Sequence, residues 1–385
     1  MLDKSMLIRR LSYLEKIDLL VEKYGRKLHR EIPNVSGWQI SEAYKEKMLT
    51  TFNYELYGDF NPIDYVYSYN LVEKYRQNII SKFGACDDNC LLLVSNNTIA
   101  LVNAVNFIAN IRPNKVGLLL PCYFTIPNLL RDRNLPYLLL PIKRENGEYH
   151  LPQKDIIKNN CNVLILTNPV FSTGKYLDDA DINFLRQYLS GGNYVVADES
   201  LAVPGFELIR SLGHYKNFIS IYSPHKFIHF NAFKFSCMVY NKIYEDFFDQ
   251  WNDVYSGGLN ITNLRAINHF LSPDYDNILN LFLNYTAERS KEVSQLANAF
   301  PQFEIDSGTI GDYMCLYNNT LPYKLGNQIS FVKDVITQTQ SVFYPGCLHG
   351  FQQDHGFVFR INLVSYNHAS SNALVKILDF LTQYK

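Results

Sequence analysis

The sequence of 385 residues lacks a surplus of either charge, and it lacks long apolar runs. Its 36 Lys and Arg residues face 37 Asp and Glu residues, for a formal net charge of −1. A protein without a basic excess is poorly suited to neutralise nucleic-acid phosphates, so we expect no nucleic-acid partner. No segment approaches the roughly 20 apolar residues that a membrane span needs, so we expect no membrane partner either.

Cysteine is also scarce, with seven residues scattered along the chain. Cys86 and Cys90 form the one close pair in the sequence, and no second pair or histidine cluster completes a metal site. We therefore expect free thiols in a reducing cytoplasm and no bound metal. The stretch at 1–20 carries charge along its whole length, which predicts an amphipathic helix rather than a signal peptide or an anchor.

Apolar and aromatic side chains, by contrast, are abundant. Hydrophobic residues make up 47% of the chain and aromatic residues 14%, with 28 Tyr and 25 Phe. This apolar content, without long polar runs, excludes a disordered chain, and the length is sufficient to bury a substantial core. The aromatic excess fits either wide packing interfaces or a pocket for a flat ligand, and composition leaves both open.

Short apolar, β-branched runs recur along the first two thirds of the chain, with helix-length segments between several of them. Such continuous hydrophobicity is typical of strands covered on both faces, as in a mostly parallel sheet. The alternation predicts an α/β domain with helices on both faces of the sheet. The predicted strands are 90–95, 116–121, 137–142, 162–169, 193–200 and 218–226, and the predicted helices are 98–110, 126–133 and 178–189.

The pattern changes after about residue 275. A long amphipathic stretch precedes a mixture of strand-like and helix-like segments, which predicts a smaller α+β domain built from both termini. We expect an N-terminal segment of this small domain at 1–48, a large domain at 49–280 and the C-terminal part of the small domain at 281–385.

Polar residues follow the predicted strands at their carboxyl ends, where open α/β sheets bind ligands. Asn96, Asn97 and Thr98 open a helix after the first strand, where backbone N–H groups can bind a phosphate. Taken alone, these residues fit an N-terminal cap better. Asn168 closes the strand at 162–169 and is followed by a Pro and a Gly turn, so a purely structural turn is an equally good interpretation.

Two charged residues at strand ends carry more chemical information. Asp198 closes an apolar run, where a carboxylate needs a cationic partner: a protonated ring nitrogen or a structural ion pair. Lys226 lies in Ser-Pro-His-Lys after the last strand, and a desolvated amine there becomes a nucleophile suited to Schiff-base chemistry. Lys234, eight residues later, could supply a cation to a phosphate.

The order and spacing of these residues, over about 34–364, resemble the fold-type I, pyridoxal-phosphate-dependent aminotransferases of class I/II. The resemblance implies pyridoxal 5′-phosphate as the cofactor and an amino acid and a 2-oxo acid as substrates. It further implies a homodimer whose subunits share active sites. By this resemblance, Lys226 carries the cofactor, Asp198 keeps its pyridine nitrogen protonated, and Tyr123 stacks on its ring.

The same resemblance implies roles for the other matching residues. Asn168 in TNPVFSTG contacts the phenolic oxygen of the cofactor ring. Arg360 in FRINL grips the substrate α-carboxylate as a bidentate fork, with Asn34 or Gly37 near it. The resemblance places the phosphate against Asn96, Asn97, Thr98, Ser223 and Lys234, and it places Tyr57 across the dimer interface from that phosphate.

Departures from the family pattern favour a divergent member. Ser172 stands where a second Pro is usual, Lys234 where Arg is usual, and Leu201 where a Tyr often bonds the ring oxygen. We expect an aminotransferase; the alternative is a pyridoxal-phosphate-dependent lyase, cyclase or oxidase of an amino acid in secondary metabolism. A regulator without catalysis is disfavoured because Lys226 and Asp198 are both present.

Overall fold

The computed structural model of the chain describes residues 10–37, 40–51, 75, 78–86, 88–226, 229, 232–255 and 259–384. Its strands, numbered in chain order, are β1 (Asn89–Val94), β2 (Val116–Leu120), β3 (Tyr137–Pro141), β4 (Lys143–Glu145), β5 (Glu148–His150), β6 (Val163–Thr167), β7 (Tyr194–Asp198), β8 (Phe218–Tyr222), β9 (Ser236–Asn241), β10 (Phe303–Ile305), β11 (Tyr313–Asn318) and β12 (Phe357–Asn362).

The α-helices are numbered in the same way. Those with defined bounds are α1 (Arg10–Leu28), α2 (Glu42–Thr51), α3 (Asn97–Ile111), α4 (Thr125–Asp132), α5 (Gln153–Lys158), α6 (Asp179–Ser190), α7 (Ile209–Leu212), α8 (Glu245–Tyr255), α9 (Ile261–Leu271), α10 (Pro273–Ala297), α11 (Gln328–Thr339) and α12 (His368–Gln383). Residues 78–83 are helical as well. None of the helices in the described ranges is long and apolar enough to cross a membrane.

A seven-stranded sheet in the order β1-β9-β8-β7-β6-β2-β3 forms the centre of the fold. The neighbours from β8 to β3 pair in parallel, whereas β9 is antiparallel to both β8 and β1. Every residue of β1, β2, β6, β8 and β9 is buried, because helices cover both faces of the sheet. The predicted α/β class with a mostly parallel sheet is confirmed.

A smaller antiparallel sheet, β10-β11-β12, packs with helices from both ends of the chain. Ile17 of α1 shares an apolar cluster with Val335 of α11 and Leu374 of α12. Two sequentially distant segments thus bury one common core, which is the α+β unit from both termini that the sequence predicts. The domain limits at 48 and 280 stay a prediction.

Helix α10 contributes to both cores. Tyr275 and Phe282 near its start pack into the core beneath the large sheet, whereas Val293 and Ala297 near its end pack into the core of the small sheet. One continuous helix therefore joins the two units. The small sheet lies beside the carboxyl ends of the strands of the large sheet, and Arg360 of β12 lines the cavity there.

Candidate active site

A cavity of about 750 Å³ opens where the parallel strands of the large sheet end. This is the position at which open α/β sheets bind ligands, and the volume suits a small cofactor together with a substrate. The predicted site residues that line this cavity are Gly37, Asn96, Asn97, Thr98, Tyr123, Asn168, Asp198, Lys226, Lys234 and Arg360. Asn34 and Ser223 lie behind its wall, and Tyr57 lies outside the described residues.

Lys226 ends the short 3₁₀ turn Pro224–Lys226 that follows β8, so the strand delivers its amine to the cavity. Burial lowers the pKa of the Lys226 amine, and the Lys234 charge adds to this effect. The carboxylates of Asp198 and Asp312 act in the opposite direction. Because burial is the largest effect, a greater share of this amine is neutral than in water, which favours its use as a nucleophile or a base.

His225 lines the cavity beside Lys226. Its Nδ1 lies 2.7 Å from the backbone carbonyl of Phe235, which only accepts, so Nδ1 carries the proton. Burial and the neighbouring Lys226 charge lower the pKa of His225 to about 4. The ring is consequently neutral at pH 7 and adds no positive charge to the site.

Asp198 is the last residue of β7 and is buried. Its Oδ1 accepts hydrogen bonds from the backbone N–H of Ser200 at 3.2 Å and from the Ser200 hydroxyl at 2.5 Å. The amide of Asn97 approaches Oδ2 at 3.5 Å. These hydrogen bonds fix the orientation of the carboxylate, so an oriented acidic side chain stands at the end of the strand.

An anion cradle forms at the start of α3. The Asn96 side chain caps this helix by accepting a hydrogen bond from the Ile99 N–H at 3.2 Å. Asn97, Thr98 and Ile99 of the first turn line the cavity, and Lys234 lines the same cavity. A helix N-terminus with a nearby ammonium is suited to bind a phosphate. Asn96 thus contributes by ordering the helix.

Ser223, expected as a phosphate ligand, makes contacts with two other serines in this structure. It is fully buried, and its hydroxyl contacts the hydroxyls of Ser236 at 2.7 Å and of Ser200 at 3.2 Å. Because Ser200 in turn holds Asp198, Ser223 supports the carboxylate from behind the wall. The sequence places Ser223 near the site but cannot show which way a buried hydroxyl turns.

Asn168 is also oriented differently from what the resemblance implies. Its amide N–H groups donate to Oε1 of Glu199 at 2.8 Å and to the Phe206 carbonyl at 3.0 Å. The Oδ1 atom is buried without a hydrogen-bond partner among the described residues. The amide therefore has a spare acceptor rather than a spare donor, because the acceptors of the neighbouring loop use both of its hydrogens.

Arg360 projects from β12 and is buried against the segment 34–37. Its Nε donates to the Ser36 carbonyl at 3.1 Å, and the Ser36 hydroxyl donates to the Arg360 carbonyl at 2.5 Å. In the same segment, Asn34 donates to the hydroxyl of Tyr344, a residue of the cavity wall. Asn34 and Gly37 thus belong to a segment that anchors the arginine.

Aromatic rings form one side of the cavity. Tyr123 lies 4.7 Å from Phe124 and 6.3 Å from Phe171, measured between ring centroids, and all three residues line the wall with Tyr344. A wall of this kind suits a flat ligand. Phe171 and Tyr344 were not among the predicted site residues, although Phe171 lies in the TNPVFSTG segment that carries the resemblance.

A buried Asp312–His229 pair lies close to the charged groups of the cavity. The Nε2 atom of His229 is 3.3 Å from Oδ1 of Asp312, and both side chains are almost fully buried. Burial lowers the pKa of His229 to about 3, so the ring is neutral, and burial raises the pKa of Asp312 to about 7. Lys226 and Arg360 oppose the rise at Asp312, which shows that this carboxyl group lies within electrostatic reach of both.

The fold is shared with solved enzyme structures, although no family model and no curated protein matches the sequence. An alanine aminotransferase from Pyrococcus furiosus is 16% identical, with a TM-score of 0.74 over 98% of this chain and 97% of that one. A protein of Escherichia coli with a methionine aminotransferase function is 14% identical, with a TM-score of 0.72 over 94% and 95%.

A pyridoxal-phosphate-bound C–S lyase from Staphylococcus hominis is equally similar, at 15% identity and a TM-score of 0.72 over 90% of this chain and 94% of that one. The chain therefore has the fold of these aminotransferases and lyases along nearly its whole length. Because one fold carries both reactions, the reaction of this chain has to be argued from its site.

Proposed function

We propose that the chain is a pyridoxal-phosphate-dependent enzyme that exchanges an amino group between an α-amino acid and a 2-oxo acid. One observation supports this most strongly: the Lys226 amine, the Asp198 carboxylate and the anion cradle at α3 line a single cavity. An amine nucleophile, a carboxylate for a ring nitrogen and a phosphate site are the three groups that this cofactor requires.

The residues present fit the cofactor. The aromatic wall around Tyr123 suits its ring, and the N-terminus of α3 with Lys234 suits its phosphate. The Oδ1 atoms of Asn97 and Asn168 are buried without hydrogen-bond partners among the described residues. Asn97 and Asn168 line the cavity together with Asp198 and Lys226, so this end of the cavity is polar, as the ring nitrogen and the aldehyde of the cofactor require.

The chain's own residues divide the work as follows. When bound, pyridoxal phosphate supplies an aldehyde that condenses with amines and a ring that withdraws electron density from the substrate Cα. Lys226 would take the proton from Cα and, in an amino transfer, pass it to the cofactor carbon that carries the aldehyde, because its lowered pKa keeps a share of the amine neutral. Asp198, held by Ser200, would keep the ring nitrogen of the bound cofactor protonated.

Arg360 orients the substrate. It is the one guanidinium among the residues that line the described cavity, and the same wall carries the rings of Tyr123, Phe124, Phe171 and Tyr344. A single carboxylate clamp beside an aromatic wall favours amino acids with an α-carboxylate and an apolar side chain over dicarboxylic ones. We also propose that the chain forms a homodimer. Tyr57 is the residue that we expect to reach the phosphate across the dimer interface.

Elimination of a thiolate from an amino acid that carries sulfur on Cβ is the second candidate reaction. It is favoured by Leu201, which lines the cavity three residues after Asp198 and offers no hydroxyl to the ring, and by the C–S lyases of the same fold. Leu201 leaves the cofactor less tightly positioned, which weakens control over the fate of the substrate carbanion.

A half-reaction separates the two candidates. The cofactor-loaded protein is mixed, in the absence of any 2-oxo acid, with S-methylcysteine, an amino acid with an apolar side chain and a thiolate leaving group on Cβ. Transamination predicts one equivalent of 2-oxo acid per site and a stable aminated cofactor, with no ammonia. Continuous ammonia release with an unchanged cofactor spectrum would refute transamination and support elimination, and a protein that neither binds the cofactor nor changes its spectrum would refute both.

A further inference from the structure

The Arg360 guanidinium is held at several points before any ligand binds. Nε donates to the Ser36 carbonyl at 3.1 Å, Nη1 donates to the Ser172 hydroxyl at 2.9 Å, and the group lies 4.3 Å from the centre of the Tyr313 ring. An arginine has five N–H groups. Three of them, on Nη1 and Nη2, have no hydrogen bond to the described residues and are available to a planar carboxylate.

Ser172 reaches Arg360 because of an unusual backbone conformation. Its φ is 68°, in the left-handed region, whereas proline is restricted to a φ near −65°. The second Pro that is usual in such a turn could not adopt this conformation, and it has no hydroxyl. The exchange of Pro for Ser therefore changes both the path of the turn and the group presented to the arginine.

A second contact fixes the turn to the same strand pair. The Ser172 carbonyl accepts a hydrogen bond from the Cys315 thiol at 3.1 Å, and Cys315 is the cross-strand partner of Arg360 in the β11–β12 register. Ser172 is thus joined to β11 through its backbone and to β12 through its side chain. Its own side chain is buried, and it is not among the residues that line the main cavity.

We propose that Ser172 is a positioning residue that fixes the Arg360 fork for the substrate carboxylate. This inference rests on the proposed function, in which Arg360 binds that carboxylate. The hydroxyl accepts from Nη1 and holds the guanidinium plane at a set angle, so the remaining N–H groups are aligned before the substrate arrives. Preorganisation of this kind improves binding rather than the chemical step.

The test compares Ser172→Gly, which retains the left-handed backbone without the hydroxyl, with Ser172→Asn, which tolerates this φ and restores an acceptor. The control is Asn160→Gly, at a left-handed position (φ 51°) in a turn away from the cavity. We expect Ser172→Gly to raise the KM for the amino acid about tenfold with kcat nearly unchanged. Ser172→Asn should recover part of this loss, and the control should change neither constant.

A binding measurement supplies a readout that does not depend on turnover. Calorimetry with 3-phenylpropionate on the cofactor-loaded protein should show a Kd about tenfold higher for Ser172→Gly than for the wild type. If Arg360→Lys weakens this probe but Ser172→Gly does not, the inference about Ser172 is overturned alone. If Arg360→Lys changes nothing, or the wild type does not bind the probe, the carboxylate role of Arg360 fails and this inference fails with it.

Discussion

Replacement of Glu199 by Gln tests whether the buried carboxyl group of Glu199, next to Asn168, has a raised pKa. Glu199 is fully buried and accepts hydrogen bonds from Asn168, from the Ser220 hydroxyl and from the Leu208 N–H. Burial nevertheless raises the pKa of its carboxyl group from 4.5 to about 7. The amide of Gln can keep these contacts, because its oxygen accepts from Asn168 and Leu208 while its nitrogen donates to Ser220.

The sign of the effect follows from linkage. A carboxyl group with a higher pKa in the folded state binds its proton more tightly there, so the folded state is favoured at low pH. That contribution is lost as the pH rises from about 4.5 to about 7. A shift from 4.5 to about 7 corresponds to a loss of about 2 to 3 kcal/mol in the free energy of unfolding between pH 5 and pH 8.

Urea unfolding of the wild type, Glu199→Gln and the exposed control Glu145→Gln at pH 5 and pH 8 measures this loss. We expect the pH-dependent change in the free energy of unfolding to be smaller in Glu199→Gln by about 2 to 3 kcal/mol. The control should follow the wild type, since Glu145 is exposed. Equal pH dependence in the wild type and Glu199→Gln would contradict the buried-acid interpretation.

Two further predictions concern the charges of the cavity. Lys234→Ala should weaken pyridoxal-phosphate binding at least tenfold, because it removes the ammonium of the anion cradle; a cofactor titration with an unchanged Kd would refute this role. Asp312→Asn should let the apoprotein react with pyridoxal phosphate at lower pH, because the Asp312 charge raises the pKa of Lys226. The rate of cofactor attachment, measured from pH 6 to pH 9 in the wild type and in Asp312→Asn, tests this prediction. A rate profile that lies at higher pH in Asp312→Asn would contradict it.

The central sheet was predictable because its strands are apolar along their whole length. All six predicted strands are present, as β1, β2, β3, β6, β7 and β8. The strand β9 (SCMVYN) was not predicted, since its polar ends and small residues interrupt the apolar run. It is nevertheless buried, because it lies between β8 and β1 in the sheet, and the pairing of distant strands cannot be obtained from a local pattern.

The candidate site was predictable where chemistry and strand ends coincide. Asp198 and Lys226 follow apolar runs directly, so the rule for open sheets places them together. The supporting contacts depend on long-range packing. Ser172 and Arg360 are far apart in the sequence, and Asp312 directly precedes β11 of the small sheet. Nothing in the local sequence of these residues indicates that they meet.

The visible absorption of the cofactor-loaded protein tests directly whether Lys226 carries pyridoxal phosphate. The wild type and the control Lys154→Ala, at an exposed lysine of α5, should show a visible band that borohydride reduction fixes covalently to the chain. In Lys226→Ala the band and the covalent label should both be lost, because no amine remains at the end of β8. A wild type without such a band at saturating cofactor, or a label retained in Lys226→Ala, would contradict the central claim.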